Sequence, residues 1–158
     1  MSRKKAKIPP YLYKDEVSRN FAMIPPDLLE AEEFQALGHA ARLFYITICV
    51  HVATEEQRSC CYQTLMAYRD ILKLDMSDED VKYATWGNRR TSTFSRLFVF
   101  PESHMKAYGY TSQYANKLKK ELIEHGFIRV KYAGKGKHTG WSKNVTVYEF
   151  SDEWKKHS

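Results

Sequence analysis

The clearest hydrophobic pattern in the chain lies between Thr111 and Gly126. At 100° per residue, Ala115, Leu118 and Leu122 fall within one narrow sector. The polar residues clustered about half a turn away are Gln113, Asn116, Lys117, Lys120 and Glu124. This pattern predicts an amphipathic helix. The Thr111 hydroxyl can cap its first amides, and Gly126 suits the left-handed conformation that often ends a helix.

Two segments with strand character follow this helix. Residues 127–132 alternate apolar and basic side chains, and residues 145–150 are β-branched and aromatic. The intervening residues 133–144 are too many for a tight turn, and they include glycines and three lysines, Lys135, Lys137 and Lys143. A hairpin with a basic loop after an amphipathic helix predicts the wing of a winged helix-turn-helix domain.

The preceding part of the chain is expected to be mainly helical. Residues 39–52 are apolar nearly all round, which predicts a central helix packed on several sides. Residues 97–100 suggest a short strand that pairs with the hairpin, and Pro101 suits the start of a short helix before the turn at Gly109. The predicted fold class is therefore α+β: a mainly helical winged helix-turn-helix domain with a C-terminal β-hairpin wing.

Charge is distributed unevenly along the chain. Residues 1–19 carry six Lys and Arg against two Asp and Glu, residues 20–100 carry eight against eleven, and residues 101–158 carry eleven against six. The basic surplus falls on the predicted winged helix and on the amino-terminal segment, which favours a polyanion as partner. We expect a flexible basic arm over residues 1–19 and a single domain over residues 20–156.

The polar face of the predicted helix suits recognition of duplex DNA. Amide side chains can bond to adenine edges, lysines can reach guanine or phosphate, and the small Ser112 lies beside them. A helix face that is merely solvated would have a similar composition, and a flexible solubilising loop would resemble the predicted wing. Both alternatives remain open from composition alone.

Membrane insertion and secretion are not expected. The first apolar stretch is short, follows prolines and lacks a small-residue cleavage pattern, so no signal sequence is predicted and the protein is expected to be cytoplasmic. The longest apolar stretch, residues 40–53, is too short to span a bilayer. The cysteines are odd in number, which favours reduced thiols: Cys49, Cys60 and Cys61.

Catalytic and metal-binding motifs find little support. The six histidines are scattered, and none lies in a nucleophile motif or at a metal-ligand spacing. The glycine-rich loop departs from the phosphate-binding GxxxxGK[ST] pattern, and no helix follows it. We therefore expect no enzyme activity, cofactor, metal or small-molecule substrate.

Several segments together resemble one known family. The motifs are Ile24-Pro25 with Leu28-Leu29, Phe98-Val99-Phe100-Pro101, Gly109-Tyr110-Thr111, Leu122 to Ile128 ending in Gly126-Phe127-Ile128, and Tyr148-Glu149-Phe150-Ser151 with Trp154. Over roughly residues 20–156, the chain resembles the winged-helix amino-terminal domain of plasmid replication initiators of the A type and small relatives carried by mobile elements. Such initiators usually continue past this domain, whereas this chain ends at Ser158. A regulator or accessory factor would therefore also be compatible with the resemblance.

The resemblance implies a binding mode as well as a fold. In that family the helix after the turn enters the DNA major groove. By position, this implicates Ser112, Gln113, Asn116, Lys117 and Lys120 in recognition. It places the wing lysines on the DNA backbone. The expected function is sequence-selective binding of double-stranded DNA, in replication initiation or transcriptional regulation of a plasmid or other mobile element, and a homodimer would be compatible with it.

Two alternatives to duplex recognition are retained. The first is a winged-helix protein-protein interaction module without direct DNA binding, in which the acidic residues 20–100 would form the interface and an exposed Trp86 or Trp141 would favour that role. The second is binding of single-stranded nucleic acid or RNA, with bases stacked on Tyr132, Trp141 and Tyr148.

Overall fold

Helices predominate in the computed structural model, which describes residues 24–87, 96–133 and 145–157. The helices are α1 (Pro26–Glu30), α2 (Glu32–Ala36), α3 (His39–Val52), α4 (Glu55–Leu72), α5 (Asp78–Trp86), α6 (Glu102–Ala107), α7 (Ser112–Glu124) and a closing 3-10 helix (Glu153–His157). The strands are β1 (Leu97–Val99), β2 (Ile128–Tyr132) and β3 (Val147–Phe150). The fold is α+β and mostly helical, as the sequence predicts. The predicted basic arm, residues 1–19, lies outside the described residues.

The three strands form one antiparallel sheet in the order β1-β3-β2. Leu97 of β1 lies opposite Glu149 of β3, and Ile128 of β2 lies opposite Phe150 at the other side of the same strand. The pairing of residues 97–99 with the hairpin confirms the strand predicted ahead of Pro101.

Helices cover the sheet on both faces. The side chains of β1 alternate between the two cores that result. Phe98 is fully buried in a core with side chains from α1, α2, α3, α6 and α7. Leu97 and Val99 belong to a second core, which is built mainly from α4 and α5. A strand buried on both faces reads as an unbroken apolar run, as residues 97–100 do.

A buried glutamine of α4 completes the outer edge of β1. Gln57 Oε1 accepts a hydrogen bond from the backbone amide of Val99 at 2.9 Å, and its Nε2 donates to the Val52 carbonyl at 3.3 Å. An unpaired amide at a buried sheet edge would be costly, so this contact satisfies the edge and ties α4 to the sheet.

The central helix α3 is packed on fewer sides than its sequence predicts. Leu43 is 60% exposed and Val50 is 42% exposed, whereas Phe44 and Ile48 are fully buried. The physical reason is the course of α4, which packs mainly against α5 and the sheet rather than along α3. One apolar face of α3 is therefore left in contact with solvent. Within the described ranges, no helix is long and apolar enough to cross a membrane.

The predicted boundaries of the amphipathic helix are confirmed. Thr111 is the N-cap of α7, and its hydroxyl accepts a hydrogen bond from the Tyr114 amide at 3.2 Å. The helix ends at Glu124, and Gly126 follows with φ of 80°. From there the Gly126 carbonyl accepts a hydrogen bond from the Trp154 amide, so the end of α7 is joined to the 3-10 helix.

We expect Gly126→Ala to lower the free energy of unfolding by more than about 2 kcal/mol, because it combines left-handed strain with a steric clash. A β-carbon at Gly126 would lie 2.9 Å from the Glu153 β-carbon and 2.9 Å from the Trp154 amide nitrogen. Gly109 is the matched control, since its φ is 85° but nothing lies within 4 Å of such a β-carbon. Denaturant unfolding of both variants measures the difference, and equal losses of stability would contradict the close contact with the 3-10 helix.

Candidate nucleic-acid interface

One face of α7 presents most of the predicted recognition residues to solvent. Gln113, Asn116, Lys117 and Lys120 are all exposed, while Ser112, in the first turn, is half-buried. The opposite face holds Ala115, Leu118 and Leu122, which are buried in the core shared with α3 and α6. Four of the five predicted side chains therefore share a surface, and Ser112 lies at its edge with restricted access.

Two lysines on this face, Lys117 and Lys120, form no ion pair among the described residues, although the exposed Glu124 lies one turn after Lys120. Among the described residues, no carboxylate lies within 4.0 Å of the Lys117 or Lys120 ammonium group. By contrast, Arg129 of β2 pairs with Glu149 at 3.0 Å. Lys117 and Lys120 therefore remain available to an anion.

A half-buried acidic residue of α7 bonds to the start of α3. Glu121 Oε2 accepts a hydrogen bond from the backbone amide of Gly38 at 2.8 Å, at the residue that caps the start of α3. A carboxylate is favourable at a helix N-terminus, where amides lack intrahelical partners. This contact joins α7 to α3.

Tyr114 is a candidate contact residue that was not predicted from the sequence. Its side chain is 45% exposed, and its ring centroid lies 6.2 Å from that of Tyr110. Tyrosine is among the side chains that contact nucleic-acid backbone and sugar. The signal was present in the sequence, because the helical period places Tyr114 about 60° from Lys117 around the helix axis.

The other residue that the sequence analysis missed is a lysine buried beneath this face. Lys119 is only 6% exposed, and its ammonium group donates to the Phe100 carbonyl at 3.3 Å. The same ammonium lies 4.8 Å from the centre of the Tyr148 ring, a cation–π distance. Burial lowers the pKa of Lys119 to about 8. Its place on the helical wheel, about 60° from Leu122, indicates this inward position.

The predicted wing lies partly outside the described chain. Lys135, Lys137 and Lys143, together with Trp141, fall among residues 134–144, which the structure does not describe. The base of the hairpin is described, and there the Tyr68 hydroxyl of α4 donates to the Val145 carbonyl at 2.8 Å. The hairpin that bears the wing lysines is thus anchored to the helical pair α4 and α5.

The aromatic rings proposed for base stacking are not free. Tyr148 is 9% exposed and is stacked on Phe98, with centroids 5.5 Å apart. Tyr132 is half-buried and is stacked on Tyr68 at 5.4 Å. A base could reach these rings only by displacing core contacts, so the geometry counts against a stacking platform at Tyr132 and Tyr148.

The described chain offers no ready metal centre. Within residues 24–87, 96–133 and 145–157, no group of three or more His, Cys, Asp or Glu side chains is arranged to hold a metal ion. Among the described residues, no disulfide joins Cys49, Cys60 or Cys61. Their state agrees with the prediction of reduced thiols.

Comparison of the chain with protein-family models, with curated proteins and with solved structures returned no match.

Replacing the buried Lys119 with methionine should stabilise the protein at neutral pH and reveal the cost of the buried charge. Because the pKa of Lys119 is lowered from 10.5 to about 8, the unfolded chain binds more protons between these values. The loss of stability caused by the buried charge is therefore fully present below pH 8, where it amounts to about 3 kcal/mol at most. It disappears as the pH rises towards 10.5. The carbonyl and cation–π contacts offset part of it.

The measurement is the free energy of unfolding of wild type and Lys119→Met from pH 7 to pH 10. We expect the advantage of Lys119→Met to stay nearly constant up to about pH 8 and to shrink from there to pH 10. Lys117→Met is the matched control on the exposed face of the same helix, and its difference from wild type should not change in this way. A constant difference for Lys119→Met would show that Lys119 titrates as an ordinary lysine.

Proposed function

We propose that this protein is a winged-helix protein that binds double-stranded DNA sequence-selectively. The order of elements supports the winged-helix assignment: a short strand β1, helices α6 and α7 joined by a turn, and the hairpin β2–β3. The sheet order β1-β3-β2 supports it too, because it joins the strand ahead of the two helices to the hairpin behind them. In this arrangement α7 is the recognition helix.

The exposed face of α7 is the observation that carries the proposal. Gln113 and Asn116 lie near the start of the helix, where recognition helices contact base edges. Amide side chains in this position favour adenine, since they can bond to its N6 and N7 atoms together. Lys117, on the following turn, is suited to guanine or to phosphate.

Electrostatics adds to this argument. The chain has a formal net charge of +6, and the two exposed lysines of α7 form no ion pair among the described residues. We propose that Lys135, Lys137 and Lys143 of the wing add contacts to the DNA backbone, because a hairpin beside the recognition helix can reach the adjacent phosphates.

The biological setting rests on the resemblance rather than on geometry. Similarity to the amino-terminal domain of A-type plasmid replication initiators leads us to propose a role in replication initiation or transcriptional regulation of a mobile element. We further propose that the protein acts in the cytoplasm, where such DNA is found.

A second candidate function is docking to another protein. The exposed Leu43 and Val50 on α3 favour it, because they lie two turns apart on one helix face. Trp86 offers less support, since it is half-buried and the Arg58 guanidinium lies 5.8 Å from its ring. If the protein failed to bind any nucleic acid, this interaction role would become the preferred proposal.

The proposal is tested by measuring binding of the full chain to duplex DNA, single-stranded DNA and RNA over a salt series. We expect preference for the duplex and a loss of about a thousand-fold in affinity between 50 and 200 mM salt, as for about six phosphate contacts. Selection from random duplexes should then yield a preferred site. Equal binding to all three nucleic acids, or no binding at low salt, would overturn the proposal.

Lys117→Ala and Lys120→Ala should each weaken duplex binding, by about 1–3 kcal/mol for a base contact. A phosphate contact would instead lower the salt slope by about one unit on every sequence. Lys82→Ala is the matched control, because Lys82 is equally exposed but lies on α5, which packs on the other side of the sheet. Fluorescence anisotropy with a labelled duplex provides the measurement. Unchanged affinity in both α7 variants, or equal loss in Lys82→Ala, would remove the recognition-helix assignment.

A further inference from the structure

Three side chains form a hydrogen-bonded series between α3 and the end of α6, and a carboxylate of α4 lies just beyond it. His51 Nδ1 lies 3.0 Å from the Tyr108 hydroxyl, and His51 Nε2 lies 2.8 Å from His104 Nδ1. His104 Nε2 lies 3.7 Å from Glu56 Oε1. The two histidines are 4% and 8% exposed, while Glu56 is open to solvent. We name these four residues the histidine latch.

Protons can be assigned to the latch from its ends. The negative charge of Glu56, 3.7 Å from His104 Nε2, favours a proton on that nitrogen. His104 Nδ1 is then the acceptor for His51 Nε2–H, and His51 Nδ1 accepts from the Tyr108 hydroxyl. In this arrangement both imidazoles are neutral and every close contact has one donor.

Successive protonation of the two imidazoles disrupts this hydrogen-bonded series in two steps. The first proton leaves one of the two buried imidazoles positively charged, with only the exposed Glu56 opposite it. A second would set two N–H groups against each other across the 2.8 Å between His51 and His104. Burial lowers the pKa of His51 to about 4, and repulsion from His104 adds to the effect. Burial also lowers the pKa of His104, opposed by Glu56.

The latch matters to α6 because this helix has few other attachments. His104 and Met105 are the buried residues of α6, which has six residues in all. Tyr108 is its C-cap and begins the turn that leads to Thr111 and α7. A neutral His104 is therefore half of the buried side-chain anchor of α6, and Tyr108 extends the anchor into the turn.

The surrounding charges do not stabilise a protonated pair. On α4, Arg58 donates to the Val52 carbonyl at the end of α3. On α6, Glu102 lies 3.6 Å from Lys106, so its carboxylate is engaged at the surface. Besides the latch's own Glu56, the packed elements therefore supply no free carboxylate to the imidazoles among the described residues.

We propose that the histidine latch is an acid-sensitive device: it holds α6 and the turn before α7 in place while both imidazoles are neutral, and it releases them when the pair takes up protons. Its effect on DNA rests on the proposed function, because α6 supports the helix assigned to recognition. The released state binds protons more readily than the closed state, so opening becomes easier as the pH falls from about 6.5 towards 4.

Hydrogen exchange of the full chain tests the latch directly. After correction for intrinsic exchange, we expect the opening of residues 102–107 to rise more than about tenfold between pH 7 and pH 5. His51→Gln should reduce this rise, since glutamine can bond to both neighbours without titrating and only His104 then remains to take up a proton. His39→Gln is the matched control, because His39 is exposed on the same helix, and it should behave as wild type.

Two wild-type readouts keep the test independent of the variants. In an NMR titration the His51 and His104 rings should titrate below the ordinary histidine range, together with the loss of protection in α6. Titration near pH 6.5 without loss of protection, or constant protection from pH 7 to pH 5, would overturn the latch. A rise in His51→Gln equal to that in His39→Gln would overturn it as well.

Duplex binding at fixed ionic strength separates the latch from the proposed function. We expect wild type to lose affinity at pH 5 in step with the opening of α6, and His51→Gln to retain more of its affinity. Binding that persists while α6 opens would overturn control of DNA binding by the latch. Absence of duplex binding at pH 7 would overturn the proposed function. Hydrogen exchange of α6 would still test the latch, because it does not depend on DNA binding.

Discussion

Coverage of the small sheet by helices on both sides is the constraint on which the rest of the structure depends. β1 is an edge strand of three residues, and it persists because Phe98 faces one core while Leu97 and Val99 face the other. Gln57 satisfies the Val99 amide that would otherwise be unpaired within the protein. Pairing of β1 with β3 then sets where α6 and α7 can lie, because both helices are held between β1 and the hairpin.

Polar contacts made by buried or turned-in side chains fix α7 and α6 more closely than apolar packing alone. Glu121 reaches the start of α3, Lys119 reaches the end of β1, and His104 bonds to the end of α3. Each contact has directional requirements that apolar packing lacks. The buried charge of Lys119 and the buried neutral imidazole of His104 also make these attachments dependent on protonation.

The sequence predicted the candidate site well where the relevant interactions are local. The faces of α7, its cap at Thr111 and its end before Gly126 follow from contacts three or four residues apart, and all are confirmed. The prediction was less accurate for α3, since a helix that is apolar nearly all round does not indicate which of its faces the rest of the chain covers. The resemblance to plasmid replication initiators and the binding of DNA stay predictions.

The sequence by itself determined the helices, the strands and the polar face of α7, because hydrophobic period and capping residues act over a few neighbouring positions. Only the tertiary structure decided which polar side chains are buried and what they contact. These contacts join distant residues: Gln57 with Val99, Gly38 with Glu121, Phe100 with Lys119, and His51 with His104. No local pattern encodes such pairs, since each exists only after the helices have packed around the sheet.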